Sequence, residues 1–292
     1  MQVTCQQGEL HRALAHVSRA VARKSTLPVL SNVLLSAQEG QLRLAATNLE
    51  IAIAASLPAR VAEAGQLTVR ADLLTEFISS LPSDEVTLRI EPGSLTLAVS
   101  CSYSKANIKG IPAEDFPTLP EIGEQTPTAR IESGLLREMI GQVAFAAATD
   151  DSRPVLAGVL VEFQGSTLTM AAADGFRLSV RSAELDEPVA EDLSIIVPAR
   201  ALQELARSMA DAEGTIDLLV TPTRSQLLAR SGPVEFLSRL IDGHFPEFRQ
   251  IIPKTYNTRV VVSREAFLAA ARRAKIFAQS NNEVVRLQLL PG

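Results

Sequence analysis

Pro28 to Ala46 reads PVLSNVLLSAQEGQLRLAA, and Pro154 to Ala172 reads PVLAGVLVEFQGSTLTMAA. The second stretch lies 126 positions after the first without a gap. Nine of the nineteen aligned residues are identical, among them Pro28/Pro154, Val33/Val159, Leu42/Leu168 and Ala46/Ala172. A fainter echo follows at twice the offset, pairing Val33 with Val285, Leu35 with Leu287 and Gly40 with Gly292. A period this long marks a duplicated domain and not a solenoid of short repeats. The frame is two whole copies and the opening of a third, with units expected at 1–125, 126–254 and 255–292.

Composition narrows the classes. Of 292 residues, 46% are hydrophobic and 21% charged, an ordinary globular balance. Aromatics are only 4% and Trp is absent, so the cores must be aliphatic. No apolar run approaches the ~20 residues of a membrane span, and MQVTCQQGEL lacks the regions of a signal peptide. Cys5 and Cys101 show neither metal-ligand spacing nor a disulfide framework, and read as buried thiols of a cytoplasmic protein. The net charge of −5 argues against coating the whole surface with nucleic acid but leaves a single basic face open.

Along the chain, a strand at 3–5 precedes a helix expected over 8–23. At about 100° per residue, Leu14, Val17 and Val21 fall within about 40° of Leu10. Arg19, Arg12, Arg23 and His16 fall about 180–240° away, with no acid between them, and Lys24 continues the stripe. A meander of three strands ends at 49–57. A strand at 66–70, a helix capped by Asp72 with Leu73, Leu74, Phe77, Ile78 and Leu81 inward, and strands at 86–91, 95–101 and 103–109 complete the first copy. The proline-rich stretch 109–129 reads as a linker. The second copy repeats the order: strand 129–132, helix 133–147, the meander, strand 193–197, and a helix opened by Pro198 with Leu202, Leu205 and Met209 inward. Arg200 and Arg207 share its outer face. Strands at 215–221, 226–231 and 233–240 and a linker at 242–258 follow. The third copy supplies a strand at 259–262, a helix at 263–278 and a strand at 284–290. Each unit is α+β, two helices packed on antiparallel sheet.

The most specific words are Thr26-Leu27-Pro28-Val29-Leu30, Ala172-Ala173-Asp174-Gly175-Phe176-Arg177-Leu178 and Asp242-Gly243-His244-Phe245-Pro246-Glu247-Phe248. With the repeated units and basic helices, the whole chain resembles the bacterial DNA polymerase III β subunits, the sliding clamps. The resemblance implies tandem clamp domains on a three-domain plan with the third cut short. Two chains would close a ring whose helices face double-stranded DNA. Contacts to phosphate carry no sequence information and permit sliding. The implied DNA-facing residues are Arg12, Arg19, Arg23, Lys24, Arg137, Arg200, Arg207, Arg272 and Arg273. The implied pocket for partner peptides comprises Leu156, Ala173, Gly175, Arg177, Leu178, Pro246 and Ile251. Two positions depart from the family pattern: Phe176 stands where a histidine is familiar, and Ala173 where a hydroxyl residue is. The family tyrosines before the second meander are here Pro154 and Val155. Implied partners are the replicative polymerase catalytic subunit, the clamp loader, other polymerases and repair proteins, and a second copy when the chain is full length. No cofactor, metal or membrane is expected. Because the equivalents of Gln41 to Gln125 have no counterpart after Gly292, the chain as it stands is expected to be monomeric or prone to edge association.

Two rival classes stand beside this reading. Asp150, Asp151 and Asp174 are the acids available to hold Mg²⁺ for phosphodiester chemistry, although Asp174-Gly175 also reads as a turn. No Gly-rich phosphate loop or nucleophile motif accompanies them. The third class is a protein scaffold that binds no DNA, its basic stripe merely solvating a helix.

Overall fold

The structure, a computed structural model, describes all residues except 23, 92, 121–125, 151, 211–212, 279–283 and 291–292. In the first copy, β1 (Gln2–Gln6) runs into α1 (Gln7–Val17), which tightens into a 3-10 turn at Ser18–Ala20. A further 3-10 turn, Pro28–Ser31, opens the meander β2 (Asn32–Gln38), β3 (Gln41–Thr47) and β4 (Ile51–Pro58). Then come β5 (Arg60–Glu63), β6 (Gly65–Arg70), α2 (Ala71–Ser80), β7 (Glu85–Ile90), β8 (Thr96–Cys101) and β9 (Ser104–Ile111). The second copy has β10 (Ala129–Glu132), α3 (Ser133–Val143), 3-10 turns at Ala144–Ala146 and Pro154–Ala157, and the meander β11 (Gly158–Gln164), β12 (Thr167–Ala173) and β13 (Leu178–Glu184). It closes with β14 (Leu193–Pro198), α4 (Ala199–Ser208), β15 (Thr215–Val220), β16 (Gln226–Ser231) and β17 (Val234–Arg239). Compactness divides the chain into Met1–Pro246 and Glu247–Gly292; the second unit holds α5 (Phe248–Ile251) and α6 (Arg264–Ala278).

The duplication is visible in the ladders. β2 pairs with β3 through Leu34 and Ala45, and β11 with β12 through Leu160 and Ala171, each residue displaced by 126. Glu39 and Gly40 both have positive φ, +49° and +77°, the backbone that joins twisted strands in a two-residue turn. Within the core, Val33 and Val159 are fully buried, as are Leu42 and Leu168. Equivalent sites are not always filled alike: Ala37 and Phe163, 1% and 0% exposed, occupy the same place in β2 and β11. The first unit has a thirteen-stranded sheet, β10-β15-β16-β17-β4-β3-β2-β6-β9-β8-β7-β1-β5, and a four-stranded sheet, β13-β12-β11-β14. The larger sheet is continuous because β17 of the second copy pairs antiparallel with β4 of the first, Phe236 opposite Ile53. Arg43 and Glu235 close an ion pair over this junction at 2.8 Å. Behind it, Phe116 of the first linker packs with Val29, Leu30, Ala45 and Ala54 in a second, smaller core.

Both leading helices stop earlier than their periodicity suggests. α1 ends at Val17 and not at Arg23, because Val21 turns extended and the Ala22 N–H donates to the Leu30 carbonyl at 3.0 Å. A helix reaching residue 23 would commit that N–H to Ser18 instead. α3 ends at Val143, short of Ala147, and the Ala148 N–H donates to Leu156 at 2.8 Å in the same way. Asp72 does not cap α2 from outside. It lies in the first turn, bonded to Arg70 and to the Leu73 N–H, while Leu73 is 49% exposed, one position off the buried Leu74–Ile78 stripe. Pro198 is the last residue of β14, paired with Gly158, so α4 starts at Ala199. β5 has no counterpart in the sequence reading. The strands expected at 259–262 and 284–290 are not formed; among the described residues the second unit holds no strand, and an extended segment without a ladder partner is not stable as a strand.

Equivalent core sites make a direct test of the repeat. Leu42→Ala and Leu168→Ala should each destabilise the chain by about 2–5 kcal/mol, measured by urea unfolding. A loss at one site with none at the other would contradict their equivalence.

Candidate functional site

The basic stripe of α1 is set by its buried side. Leu10, Ala13, Leu14 and Val17 go into the core, so Arg12 and Arg19 are turned outward. α4 does the same with Ala201, Leu202 and Leu205 inward and Arg200 and Arg207 exposed. The pairing of β17 with β4 then brings the end of α4 and the β16–β17 turn beside α1. The result is a cleft of about 400 Å³ whose wall includes Arg12, His16 and Arg19 on one side and Arg207, Glu213 and Gly232 on the other. Ala15, Met209, Pro233 and Val234 add apolar lining, Met209 and Val234 buried and Ala15 and Pro233 exposed. Arg207 is paired with Glu204, and the Arg12 Nε–H donates to the Gly8 carbonyl at 3.3 Å. Among the described residues, Arg12, Arg19, Lys24 and Arg200 carry no ion pair.

Of the residues expected to face DNA, the structure joins Arg12, Arg19 and Arg207 in this cleft. Arg137, on α3, donates to the Ala210 carbonyl just beyond α4. Lys24 and Arg200 are exposed in the same unit. Arg23 lies outside the described residues. Arg272 and Arg273 are exposed on α6 of the second unit. His16 is on the basic edge of the helical wheel; Glu213 and the β16–β17 turn are not legible from sequence, because only the strand pairing between copies brings them there.

A second constellation surrounds the β12–β13 turn. The Asp174 carboxylate accepts from the Phe176 and Arg177 N–H groups at 2.9 and 3.0 Å and pairs with the Arg177 guanidinium at 2.9 Å. Those bonds, the backbone ones foremost, hold its carboxyl below the usual range. Gly175 has φ +93°, and an added Cβ would lie 3.2 Å from the Arg153 guanidinium. Arg153 donates to the Asp174 carbonyl at 3.0 Å and to Asp150 at 3.2 Å, tying the turn to the segment that carries Leu156. Arg177 lies 5.8 Å from the centre of the Phe145 ring, and Phe176 is 98% exposed. Leu156, Ala173 and Leu178 are half-buried around this turn, and Pro246 is exposed. Ile251 is 66% exposed in the second unit.

Asp150 and Asp174, two of the acids proposed for metal chemistry, are otherwise engaged. Arg153 stands between Asp150 and the Asp174 turn, and a guanidinium there opposes a cation. Asp151 lies outside the described residues. Among the described residues no three His, Cys, Asp or Glu side chains converge. Burial, with Glu9 adding to it, pushes the Cys5 thiol up to about 12, and burial also raises Cys101, so neither offers a thiolate. No helix among the described residues is long and apolar enough to cross a membrane.

Comparison with known proteins gives a consistent picture. Residues 1–120 match the family model of the DNA polymerase III beta subunit N-terminal domain, and residues 130–247 match that of its central domain. The Beta sliding clamp of Synechococcus elongatus is 35% identical over 295 residues, covering 100% of this chain and 78% of that protein. The crystal structure of the DNA polymerase sliding clamp of Bacillus subtilis superposes with a TM-score of 0.90 at 28% identity, over 95% of this chain and 74% of that one. The sliding clamp of Pseudomonas aeruginosa bound to griselimycin gives 0.85 at 33% identity, over 94% and 74%.

The Asp174 turn has a direct check. Its lowered carboxyl pKa means the ionised form is bonded in the fold. That contribution is present above the ordinary aspartate range and disappears as pH falls through the lowered value. Asp174→Ala should accelerate amide exchange at Phe176 and Arg177 several-fold at neutral pH, read by NMR, with amides in β11 unchanged.

Proposed function

The chain belongs to the DNA polymerase III beta-subunit family, and from that membership we propose how its own residues meet DNA and partner proteins. As a sliding clamp it is a processivity factor of DNA replication, an accessory protein and not itself an enzyme. Its partners are DNA and DNA polymerase. Duplex DNA is met by Arg12, Arg19 and Arg207 in the inter-copy cleft, supported by Lys24, Arg137 and Arg200 on the same unit and by Arg272 and Arg273 on α6. The observation that carries this assignment is the cleft itself, which gathers three arginines from two repeats. Like charges gathered along the walls of a cleft focus a positive potential on a phosphate that enters it. No base-reading motif accompanies them, which fits sequence-blind contact.

The β12–β13 turn and the 3-10 turn carrying Leu156 form the seat for partner peptides. Leu156, Ala173 and Leu178 supply apolar contact and Gly175 an open backbone. Arg177 adds a charge, and Pro246 an exposed apolar surface. Ile251 is included on the family resemblance alone. With Phe176 and Ala173 in place of polar residues, the seat favours aliphatic or aromatic anchors. Peptides of the polymerase, the clamp loader and other polymerases and repair proteins are the intended occupants. A ring of two full-length chains in the cytoplasm, where DNA is replicated, completes the proposal.

The DNA-facing assignment is tested on duplexes of unrelated sequence. Arg12→Ala with Arg19→Ala should lower affinity equally for all of them and flatten the log–log salt dependence by about 0.9 for each phosphate no longer neutralised. A weakening confined to one sequence, or no duplex binding at low salt, would contradict it. For the peptide seat, Leu178→Ala should weaken a Leu- or Phe-anchored partner peptide by more than about 1 kcal/mol, roughly five-fold, in calorimetry. Unchanged affinity would move the site elsewhere.

A further inference from the structure

The cleft between α1 and α4 contains a histidine among its arginines. From its own segment His16 shares the cleft with Arg12 and Arg19, and from the end of α4 and the turn beyond it with Arg207 and Glu213. The β16–β17 turn contributes Ser231, Gly232, Pro233 and Val234, none of them titratable. α2 meets the 3-10 turn that follows α1 through the Thr75–Ser18 hydroxyl pair, and its acids Asp72 and Glu76 do not line the cleft. Arg43 on β3 is neutralised by Glu235 at the strand junction. Glu204 already offsets Arg207, leaving Glu213 as the one acid among the described residues of the lining.

We propose that this cleft is a discrete seat for a DNA phosphate, and that protonation of His16 adds a contact to it. Histidine is the side chain whose charge changes between about pH 5 and 8. Ser208, also in the lining, cannot serve as a donor because its hydroxyl is buried and spent on the Leu205 carbonyl at 3.0 Å. His16, half-buried at the edge of the cleft, is thus the adjustable donor between two fixed cations of its own helix segment. When protonated it joins Arg12 and Arg19 in holding the phosphate; the neutral imidazole leaves the hold to the arginines. The consequence is a clamp that grips duplex DNA more firmly, and slides against more electrostatic drag, as pH falls. This rests on the DNA-facing reading of the same cleft.

The test measures affinity for one mixed-sequence duplex against salt, at pH 8.0 and pH 5.5. The chain itself should show a log–log slope steeper by about 0.9 at the lower pH, a further weakening of roughly eight-fold per decade of salt. His16→Gln should abolish that increment, while His11→Gln should retain it. His16→Lys should show the steeper slope at both pH values, which separates charge from mere packing at this position. An increment that survives His16→Gln, or a His16→Lys slope that stays shallow, would overturn the assignment of His16 and leave the DNA-facing reading standing. No duplex binding at either pH would overturn both.

Discussion

β4 is hydrogen-bonded along both edges, to β3 of its own copy and to β17 of the next, and both of its faces are buried. The rest of the first unit depends on that double commitment. Five consecutive residues of β17, Val234 to Ser238, oppose Ala55 to Ile51, and the Ser56 N–H donates to the Pro233 carbonyl at 3.0 Å to extend the seam. A slip of one residue would carry Phe236 from the core to the opposite face. The alternation of β4 suits the task. Ile51, Ile53, Ala55 and Leu57 fill the main core, while Ala54 belongs to the smaller cluster with Phe116. Because Pro233 and Val234 both belong to the seam and line the basic cleft, the register of this one pairing also sets the distance between the arginines of two repeats.

Much of this fold is readable in the sequence, and the parts that are not share a cause. The 126-residue offset locates every strand of both meanders, because hydrophobic alternation and turn residues are local properties. Helix ends are misplaced in both copies alike. Periodicity continues through Val21 and Ala22, but the N–H of Ala22 is claimed by Leu30, a competition no window of neighbouring residues reveals. Leu73 looks inward on a wheel and is not, since the wheel does not know where the sheet ends. The missing ladders at 259–262 and 284–290 follow the same logic in reverse. Their sequence is suited to strands, but a strand exists only with a partner.

The sites divide likewise. A single-sign stripe on one helix identifies Arg12 and Arg19, and a seven-residue spacing identifies Arg207. That the stripes from two helices converge is a product of strand pairing between copies, and so are Glu213 and Gly232 as their neighbours. Around the β12–β13 turn, the Asp-Gly pair signals the turn correctly. The bracket formed by Arg153, reaching both the Asp174 carbonyl and Asp150, is invisible in the sequence because an arginine in a loop carries no directional signature. That bracket also explains why Asp150 and Asp174, which look like part of a cation site, are not arranged as one.

The pair Ala37 and Phe163 carries a historical meaning. These residues fill the same place in β2 and β11, both fully enclosed, yet one is a methyl group and the other a benzyl ring. The surroundings of each have therefore been fitted to a different volume, since a close-packed interior tolerates neither a void nor an overlap of that size. The two copies share an ancestry and a plan but are no longer spare parts for one another. An exchange of β2 and β11 between them would leave a void at one site and an overlap at the other even where hydrogen-bonding registers agree, so each half has become fitted to its own strand.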